Sequence, residues 1–260
     1  MTMPVLDNKT IRKIALEQAA TDSSCRPEDF LGNENKIFIS KPSPDARVYL
    51  DLPFEADLTS YGECVVASVS ERCYAPVKEY IEKFSAVDCF ETPAINVLAE
   101  KLRPMGLDVC FMAHYSLPDA DTIRPLPCPY PVKMLGKEDF AGLYKPEWSN
   151  ALCAKRPQYD VIGAAAFDGD RMVGFAGASA DGKRMWQIGI DVWPEYRRRG
   201  IASALTSRLA CEILDRGIVP FYCHAWSNLA SSRNAIRAGF RPAWVALTVK
   251  SREYIDGMNM

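Results

Sequence analysis

The sequence lacks any run of about 18 apolar residues, the length that a helix needs to span a bilayer. Its charged start, MTMPVLDNKTIRKIALEQAA, also lacks the apolar segment of a signal peptide. We therefore expect a cytoplasmic protein. Only two histidines are present, His114 and His224, and there is neither an H-E-x-x-H motif nor a C-x-x-C pair. These absences predict that the protein has no metal site and no redox-active cysteine pair.

Cysteine is present but without the spacing of a zinc or redox site. The nine cysteines stand at positions 25, 64, 73, 89, 110, 128, 153, 211 and 223. We expect most of them, Cys211 and Cys223 included, to be small packing residues. The chain has 260 residues, 48% hydrophobic and 25% charged, which excludes disordered and low-complexity proteins. Chains above roughly 250 residues tend to divide their core, so two domains are expected.

A proline-rich segment marks the expected boundary between these domains. Leu117–Pro131 contains five prolines, which remove backbone donors and favour extended backbone, and it therefore predicts a stiff linker. We predict an α/β domain over residues 1–117, a linker over 118–130 and a second domain over 131–260. Thirteen basic and 20 acidic residues precede Tyr130, whereas 18 and 13 follow it. An anionic ligand would fit the second domain better, although surface composition alone also explains so small an asymmetry.

Local patterns predict the elements of both domains. In the first domain they indicate strands at Lys36–Ile39, Arg47–Leu50, Cys64–Ser68 and Leu107–His114, and helices at Ala75–Phe84 and Pro93–Arg103. In the second domain they indicate a strand at Val132–Leu135, a helix at Lys137–Leu143, a hairpin of Asp160–Phe167 and Met172–Ser179, and strands at Met185–Val192 and Pro220–Trp226. A weak echo of the second half in residues 93–114 supports the hypothesis that the first domain is a degenerate copy of the second.

The junction after Met185–Val192 carries the clearest chemical signal. The chain turns through Trp193–Tyr196 and Arg197–Arg199 into a helix whose apolar residues recur at i, i+4 spacing. A helix start presents unpaired N–H groups and the positive end of its dipole, and Gly200 and Ala202 keep the backbone accessible. The junction therefore predicts a site for an anion such as a diphosphate. The alternative is a charged helix start that binds no ligand.

These residues resemble the GNAT acyltransferase superfamily, whose signature is V-x-P-x-[YF]-[RQ]-x-x-G-x-[GA]. The matching residues are Val192, Pro194, Tyr196, Arg197, Gly200 and Ala202. A second family pattern, an asparagine followed by a small residue and a later Gly-Phe, matches Asn228, Ser231, Gly239 and Phe240. The resemblance covers about Tyr130 to Lys250, and the whole chain looks like a two-domain bacterial member. It implies an α/β (α+β) GNAT fold with a mixed, splayed central sheet flanked by helices.

The resemblance also implies acetyl-CoA or coenzyme A as the co-substrate, with no metal. The amides of Arg198–Ala202 would then cradle the pyrophosphate, and the strand around Ile190 and Val192 would bind the pantetheine arm. The implied coenzyme-binding residues are Ile190, Asp191, Val192, Arg197, Arg198, Arg199, Gly200, Ile201, Ala202, Ser203, Asn228 and Ser231. The alternative for Asn228 is an ordinary helix N-cap.

One departure from the family pattern affects catalysis. Many members carry, seven residues after the asparagine, a tyrosine that protonates the leaving thiolate, and this chain has Ala235 there. The glutamate that some members use as a base is also missing from Met185–Val192, where alternation points Asp191 to the other face. The candidate catalytic residues are Glu147 and His224 as bases and Ser227 as a weaker proton donor. For Glu147 and His224 the structural alternatives are a solvated loop carboxylate and a half-buried strand histidine.

Two functions stay open at this point. The first is an N-acetyltransferase that moves an acetyl group from coenzyme A to a primary amine of a small molecule or peptide, by direct attack in a ternary complex. The second is an acyl-CoA-binding sensor that has lost turnover and acts through protein partners. Nucleic-acid binding is disfavoured because three arginines at one helix start do not form a basic stripe. No membrane partner is expected, and a homodimer is an open alternative.

Overall fold

The computed structural model describes residues 6–260. In chain order its helices and strands are α1 (Asn8–Ser23), β1 (Lys36–Ile39), β2 (Ala56–Ser60), β3 (Val65–Val69), α2 (Glu71–Lys83), α3 (Thr92–Leu102), β4 (Leu107–Pro118), β5 (Val132–Gly136), β6 (Asp160–Asp168), β7 (Arg171–Ser179), β8 (Met185–Val192), α4 (Ile201–Asp215), β9 (Val219–Ala225), α5 (Leu229–Arg237), β10 (Phe240–Ser251) and α6 (Arg252–Met258). Short 3-10 turns connect several of them.

The chain forms two compact units that combine separate segments. Unit 1 contains the residues up to Ala15 and Ser116–Pro242, and unit 2 contains Leu16–Tyr115 and Ala243–Met260. The boundaries therefore fall inside α1, β4 and β10. The sequence predicts two consecutive domains, residues 1–117 and 131–260, joined by a linker. This division stays a prediction.

Unit 1 contains a mixed five-stranded sheet in the order β5-β6-β7-β8-β9. The first four strands are antiparallel, and β8 and β9 are parallel. β8 and β9 pair only from Met185–Val219 to Gln187–Phe221, although both strands continue beyond these residues. They therefore splay apart over the rest of their length. The predicted mixed, splayed sheet of an α/β fold is confirmed.

Helix α4 packs on one face of this sheet through a shared apolar core. Ile201, Leu205, Leu209 and Ile213, the residues at i, i+4 spacing, are all fully buried. They contact small strand residues, and a Cβ added to Gly174 on β7 would lie 2.8 Å from the side chain of Ile201. The small side chains of β6 and β7 thus let α4 approach the sheet closely.

Unit 2 has its own mixed sheet, in the order β1-β3-β2-β10-β4, with a core formed together with α2 and α3. The strand predicted at Arg47–Leu50 is wrong, since these residues form a turn. Its first residue, Arg47, is buried and donates from Nε to Asp22 at 2.6 Å. A buried guanidinium must be paired, and this ion pair fixes the local backbone more strongly than strand propensity does.

The helix predicted at Lys137–Leu143 is also wrong in type and length. The structure has a single 3-10 turn over Lys137–Phe140, capped by a hydrogen bond from the Gly136 N–H to the Asp139 carboxylate at 2.9 Å. Gly142, with φ of +82°, ends the turn.

Across residues 6–260, no helix is long and apolar enough to span a membrane. In the same range, no group of three or more His, Cys, Asp or Glu residues is arranged to hold a metal ion.

Candidate functional site

The splay between β8 and β9 opens a cavity in unit 1 beside the start of α4. Its volume is about 550 Å³. The lining residues come from β8, the turn into α4, β9 and α5, with one further residue from the loop before β6; they are Asn150, Ile190, Asp191, Val192, Tyr196, Arg197, Arg198, Gly200, Ile201, Ala202, Ser203, Tyr222, Asn228, Ala230, Ser231, Arg233, Asn234 and Arg237. A cleft of this size suits a small molecule.

The start of α4 forms one wall of the cavity through backbone groups. Gly200 is its N-cap, with φ of +81°, and no side chain caps this helix start in the structure described. A Cβ added to Gly200 would meet nothing within 4 Å, so the backbone faces open space. Arg198 also has a positive φ, of +60°, which is uncommon outside glycine. The turn thus presents N–H groups and the positive end of the helix dipole to the cavity.

Several arginines surround this helix start, and they differ in their contacts. Arg197 donates from Nε to the Val192 carbonyl at 3.0 Å and so holds the turn against β8. Arg199 donates to the Tyr130 hydroxyl at 2.7 Å and to the Glu195 carbonyl at 3.0 Å, and it does not line the cavity. Arg198 lines it with an exposed guanidinium, and two arginines of α5, Arg233 and Arg237, do the same. With Arg197, which is also exposed, four arginines therefore line the cavity.

The far wall is formed by α5, which begins at Asn228. The Asn228 side chain accepts from the Ser231 N–H at 3.1 Å, so it is a helix N-cap and a lining residue at once. Deeper in the wall, buried Asn234 accepts from the Ser203 hydroxyl at 3.1 Å and donates to the Thr206 hydroxyl at 3.0 Å. These bonds tie α5 to α4 across the cavity floor.

A tyrosine from β9 completes the floor. The Tyr222 side chain is 3% exposed, and its hydroxyl lies 3.5 Å from the amide nitrogen of Asn234. Burial raises the pKa of Tyr222 above its ordinary value, while hydrogen bonds from Ser231 and Asn234 act in the opposite direction. The phenol is therefore protonated at neutral pH and has hydrogen-bond donors next to its oxygen.

On the other face of the sheet, a loop lies against β7 and β8. The Asp191 carboxylate accepts from the backbone N–H groups of Asn150 and Ala151 at 2.8 and 3.0 Å, and from the Asn150 side chain at 2.6 Å. Two glycines make room for this contact. A Cβ on Gly189 would lie 1.8 Å from the Asn150 carbonyl oxygen, and one on Gly177 would lie 2.0 Å from that of Ala151.

The structure brings together most of the coenzyme-binding residues predicted from the sequence. Eleven of the twelve line the cavity, and Arg199 is the exception. The candidate catalytic residues lie elsewhere. Glu147 is exposed on the 3-10 turn Pro146–Trp148, half-buried His224 approaches the Ala225 carbonyl with Nδ1 at 2.9 Å, and Ser227 is exposed in the turn before α5. None of the three is a lining residue in the structure as described. Their proposed roles stay predictions.

Several lining residues were not predicted as site residues. Arg233, Asn234 and Arg237 follow Ala230 at i+3, i+4 and i+7, so the periodicity of α5 could have placed the two arginines on the cavity side. Tyr222 lies within the predicted strand Pro220–Trp226, and large aromatic residues of such strands are more often part of the core. Asn150 reaches the site only through its contact with Asp191, and no sequence pattern signals a contact across 41 positions.

The sequence and fold were compared with known proteins. No curated protein matches the sequence. Among solved structures, a GNAT-family protein from Novosphingobium aromaticivorans is 22% identical with a TM-score of 0.42, and the alignment covers 55% of this chain and 66% of that one. A GCN5-related N-acetyltransferase from Sphaerobacter thermophilus is 16% identical with a TM-score of 0.46, covering 72% of each chain.

The structural similarities are too weak to assign the chain to a family. A match to a family model makes that assignment. The model for GNAT acetyltransferases matches residues 108–243, just over half of the chain. This range contains the splayed strands, the turn of arginines, α4, α5 and every residue that lines the cavity. The chain therefore belongs to the GNAT acetyltransferase family.

Proposed function

We propose that the protein is an N-acetyltransferase that moves the acetyl group of acetyl-CoA to a primary amine of a small molecule or peptide. The observation that supports this proposal best is the helix start at Gly200, where backbone N–H groups, small side chains and four exposed arginines surround one cavity. A diphosphate is the ligand that such a site suits. Open space beside Gly200 fits a phosphate approaching the backbone.

The residues present fit each part of the coenzyme by charge and shape. Arg198, Gly200 and Ala202 would hold the pyrophosphate, and Arg233 and Arg237 would offset further negative charge at the mouth. Over its splayed part, from Ile188 to Val192, β8 has no ladder with β9, so backbone groups there are free to bind an extended, amide-containing arm. Acetyl-CoA supplies an activated acetyl thioester, which a neutral amine attacks directly.

The protein must then orient the amine, accept its proton and stabilise the developing oxyanion. Asp191 would help to orient the amine, because its hydrogen bonds hold the loop at Asn150 beside the cavity. For the base we keep Glu147 and His224 as candidates, with Ser227 as a further candidate proton donor. Glu147→Gln and His224→Gln variants test the bases: a residue whose replacement leaves turnover unchanged is not the base.

A second function is an acyl-CoA-binding module without turnover. It is favoured by Ala235, which is 1% exposed and stands where many family members have their tyrosine proton donor. Calorimetric titration with acetyl-CoA, together with thiol release measured across a panel of primary amines, separates the two functions. Binding with amine-dependent thiol release supports the enzyme. Binding without release from any amine supports the module, and no binding contradicts both.

A further inference from the structure

The closed end of the splay contains a buried phenol. Pairing between β8 and β9 ends at Phe221, and Tyr222 is the next residue along β9. Its ring packs in the apolar cluster of unit 1, 6.1 Å from the ring centroid of Phe240, and its side chain lines the cavity. Arg198 lines the cavity at the start of α4, and Arg233 and Arg237 line it from α5. A ligand with its phosphates at the helix start and its other end directed inward would therefore approach Tyr222.

The surroundings of this phenol fix which hydrogen bonds it makes. The side-chain oxygen of Asn234 is occupied by the Ser203 hydroxyl, at 3.1 Å, so the Asn234 amide nitrogen faces Tyr222. Ser231 is a second partner of the phenol oxygen. Because an amide N–H can only donate, the Tyr222 oxygen accepts from it, and this bond leaves the phenol proton available for another acceptor. The same contacts would stabilise a phenolate after that proton has left.

We propose that the Tyr222 hydroxyl donates the proton that the leaving thiolate takes up. The inference rests on the proposed acyl transfer. As the neutral amine forms the new C–N bond and the C–S bond breaks, the bonding electron pair moves to sulfur, and the Tyr222 proton forms the S–H bond. The amine nitrogen passes its proton to the base, and the phenolate then recovers a proton from solvent. A positioned acid of this kind typically contributes about 10²–10⁴-fold in rate.

The charged groups around the phenol agree with this role. Cys223 on the same strand and Asp191 on β8 both disfavour the phenolate electrostatically. The imidazole of His224 lies 6.5 Å from the ring centroid, and Arg233 and Arg237 line the same cavity from α5. Burial is the main cause that raises the pKa of Tyr222, and it keeps the proton in place until sulfur becomes basic. At position 235, where the family pattern has a tyrosine, buried Ala235 belongs to the same cluster as Tyr222.

The first test replaces Tyr222 by Phe, which removes the hydroxyl and keeps the ring. We expect kcat with acetyl-CoA to fall by about 10²-fold or more, with KM for acetyl-CoA changed by less than about threefold. A donor thioester whose thiol is strongly acidic needs no proton, so the loss should shrink with it. Tyr159→Phe is the matched control, because Tyr159 lies outside the cavity. An equal loss with both donors, or no loss, overturns the proposal.

An equilibrium binding measurement tests the contact between the Tyr222 hydroxyl and sulfur without turnover. Coenzyme A and its desulfo analogue are titrated into wild type and Tyr222→Phe from neutral to alkaline pH. If the hydroxyl contacts sulfur, the variant binds coenzyme A more weakly than wild type does at alkaline pH, while desulfo-coenzyme A binds equally to both. Equal affinities for both ligands overturn the proposal. Failure of wild type to bind either ligand would instead contradict the proposed function.

A second variant covers the case in which Tyr222→Phe fails to fold. Incorporation of 3-fluorotyrosine at position 222 keeps the hydroxyl and the packing but makes the phenol more acidic. Because a donor must be protonated, activity is lost as pH rises through its pKa, so this alkaline limb of the kcat profile should move to lower pH. An alkaline limb that stays in place contradicts the role of Tyr222.

Discussion

Asp191 and Asn150 join the sheet to the loop that lies over it, through hydrogen bonds of 2.8 Å to the Asn150 backbone N–H and 2.6 Å to its side-chain nitrogen. Both residues also line the cavity. The carboxylate of β8 thus acts as an anchor, and the alternation that turns Asp191 away from α4 is what makes this contact available. The loop position is therefore coupled to the strand that forms the cavity wall.

Replacing Asp191 by Asn should loosen this loop. The amide keeps one acceptor but turns an N–H₂ group toward the donors of Asn150 and Ala151. We expect the free energy of unfolding to fall by about 1–3 kcal/mol, and KM for the amine to rise. Denaturant unfolding and steady-state kinetics measure these changes. Asp170→Asn, at an exposed hairpin position, is the control, and an equal effect of both variants would contradict the anchoring role.

Gly189 should tolerate no side chain. A Cβ there would lie 1.8 Å from the backbone oxygen of Asn150, so Gly189→Ala must displace the loop or bend β8. We expect a loss of about 1–3 kcal/mol in stability, the usual range for overpacking, with faster hydrogen exchange in residues 146–152. Gly257→Ala is the matched control because its Cβ would meet nothing within 4 Å. Unchanged exchange in the Gly189 variant would show that the loop is not held as described.

Asp119 should make the stability of unit 1 depend on pH. It accepts from the Thr122 hydroxyl at 2.5 Å and from Asn8 at 3.0 Å, and these bonds, with Arg241, lower the pKa of Asp119 from its ordinary 3.8. A lowered pKa contributes stability that is present above the unfolded value and lost as pH falls through the folded one.

Asp119→Asn should therefore destabilise the protein at pH about 7, and the difference from wild type should shrink once the pH is below about 3. Denaturant midpoints at the two pH values measure it. Asp121→Asn, which removes one exposed contact to Asn8, should have a smaller effect at both. If Asp119→Asn lowers the stability equally at both pH values, the ionised carboxylate of Asp119 is not the cause.

The sequence predicted local features well and long-range ones poorly. Strand β8, the turn of arginines and α4 agree with the structure because dipole, glycine placement and i, i+4 spacing all act within about 20 residues. The strand predicted at Arg47–Leu50 failed because Arg47 pairs with Asp22, 25 positions away. For the same reason the sequence did not assign Tyr222 or Asn150 to the site. Their place in the site depends on where β8 and β9 part and on a contact between distant segments, neither of which leaves a pattern in the sequence.

We propose that the helix start at Gly200 binds the coenzyme, and melting temperatures with and without acetyl-CoA measure this binding. A ligand at about 100 times its Kd should add about 2.7 kcal/mol to the native state. Gly200→Val introduces a side chain at φ of +81° beside the cavity, and Gly169→Val, at φ of +58° in the β6–β7 turn, introduces similar strain away from it. We predict that acetyl-CoA raises the melting temperature of wild type and the Gly169 variant but not of the Gly200 variant. No rise in wild type at millimolar acetyl-CoA, or an equal rise in all three, would contradict the claim.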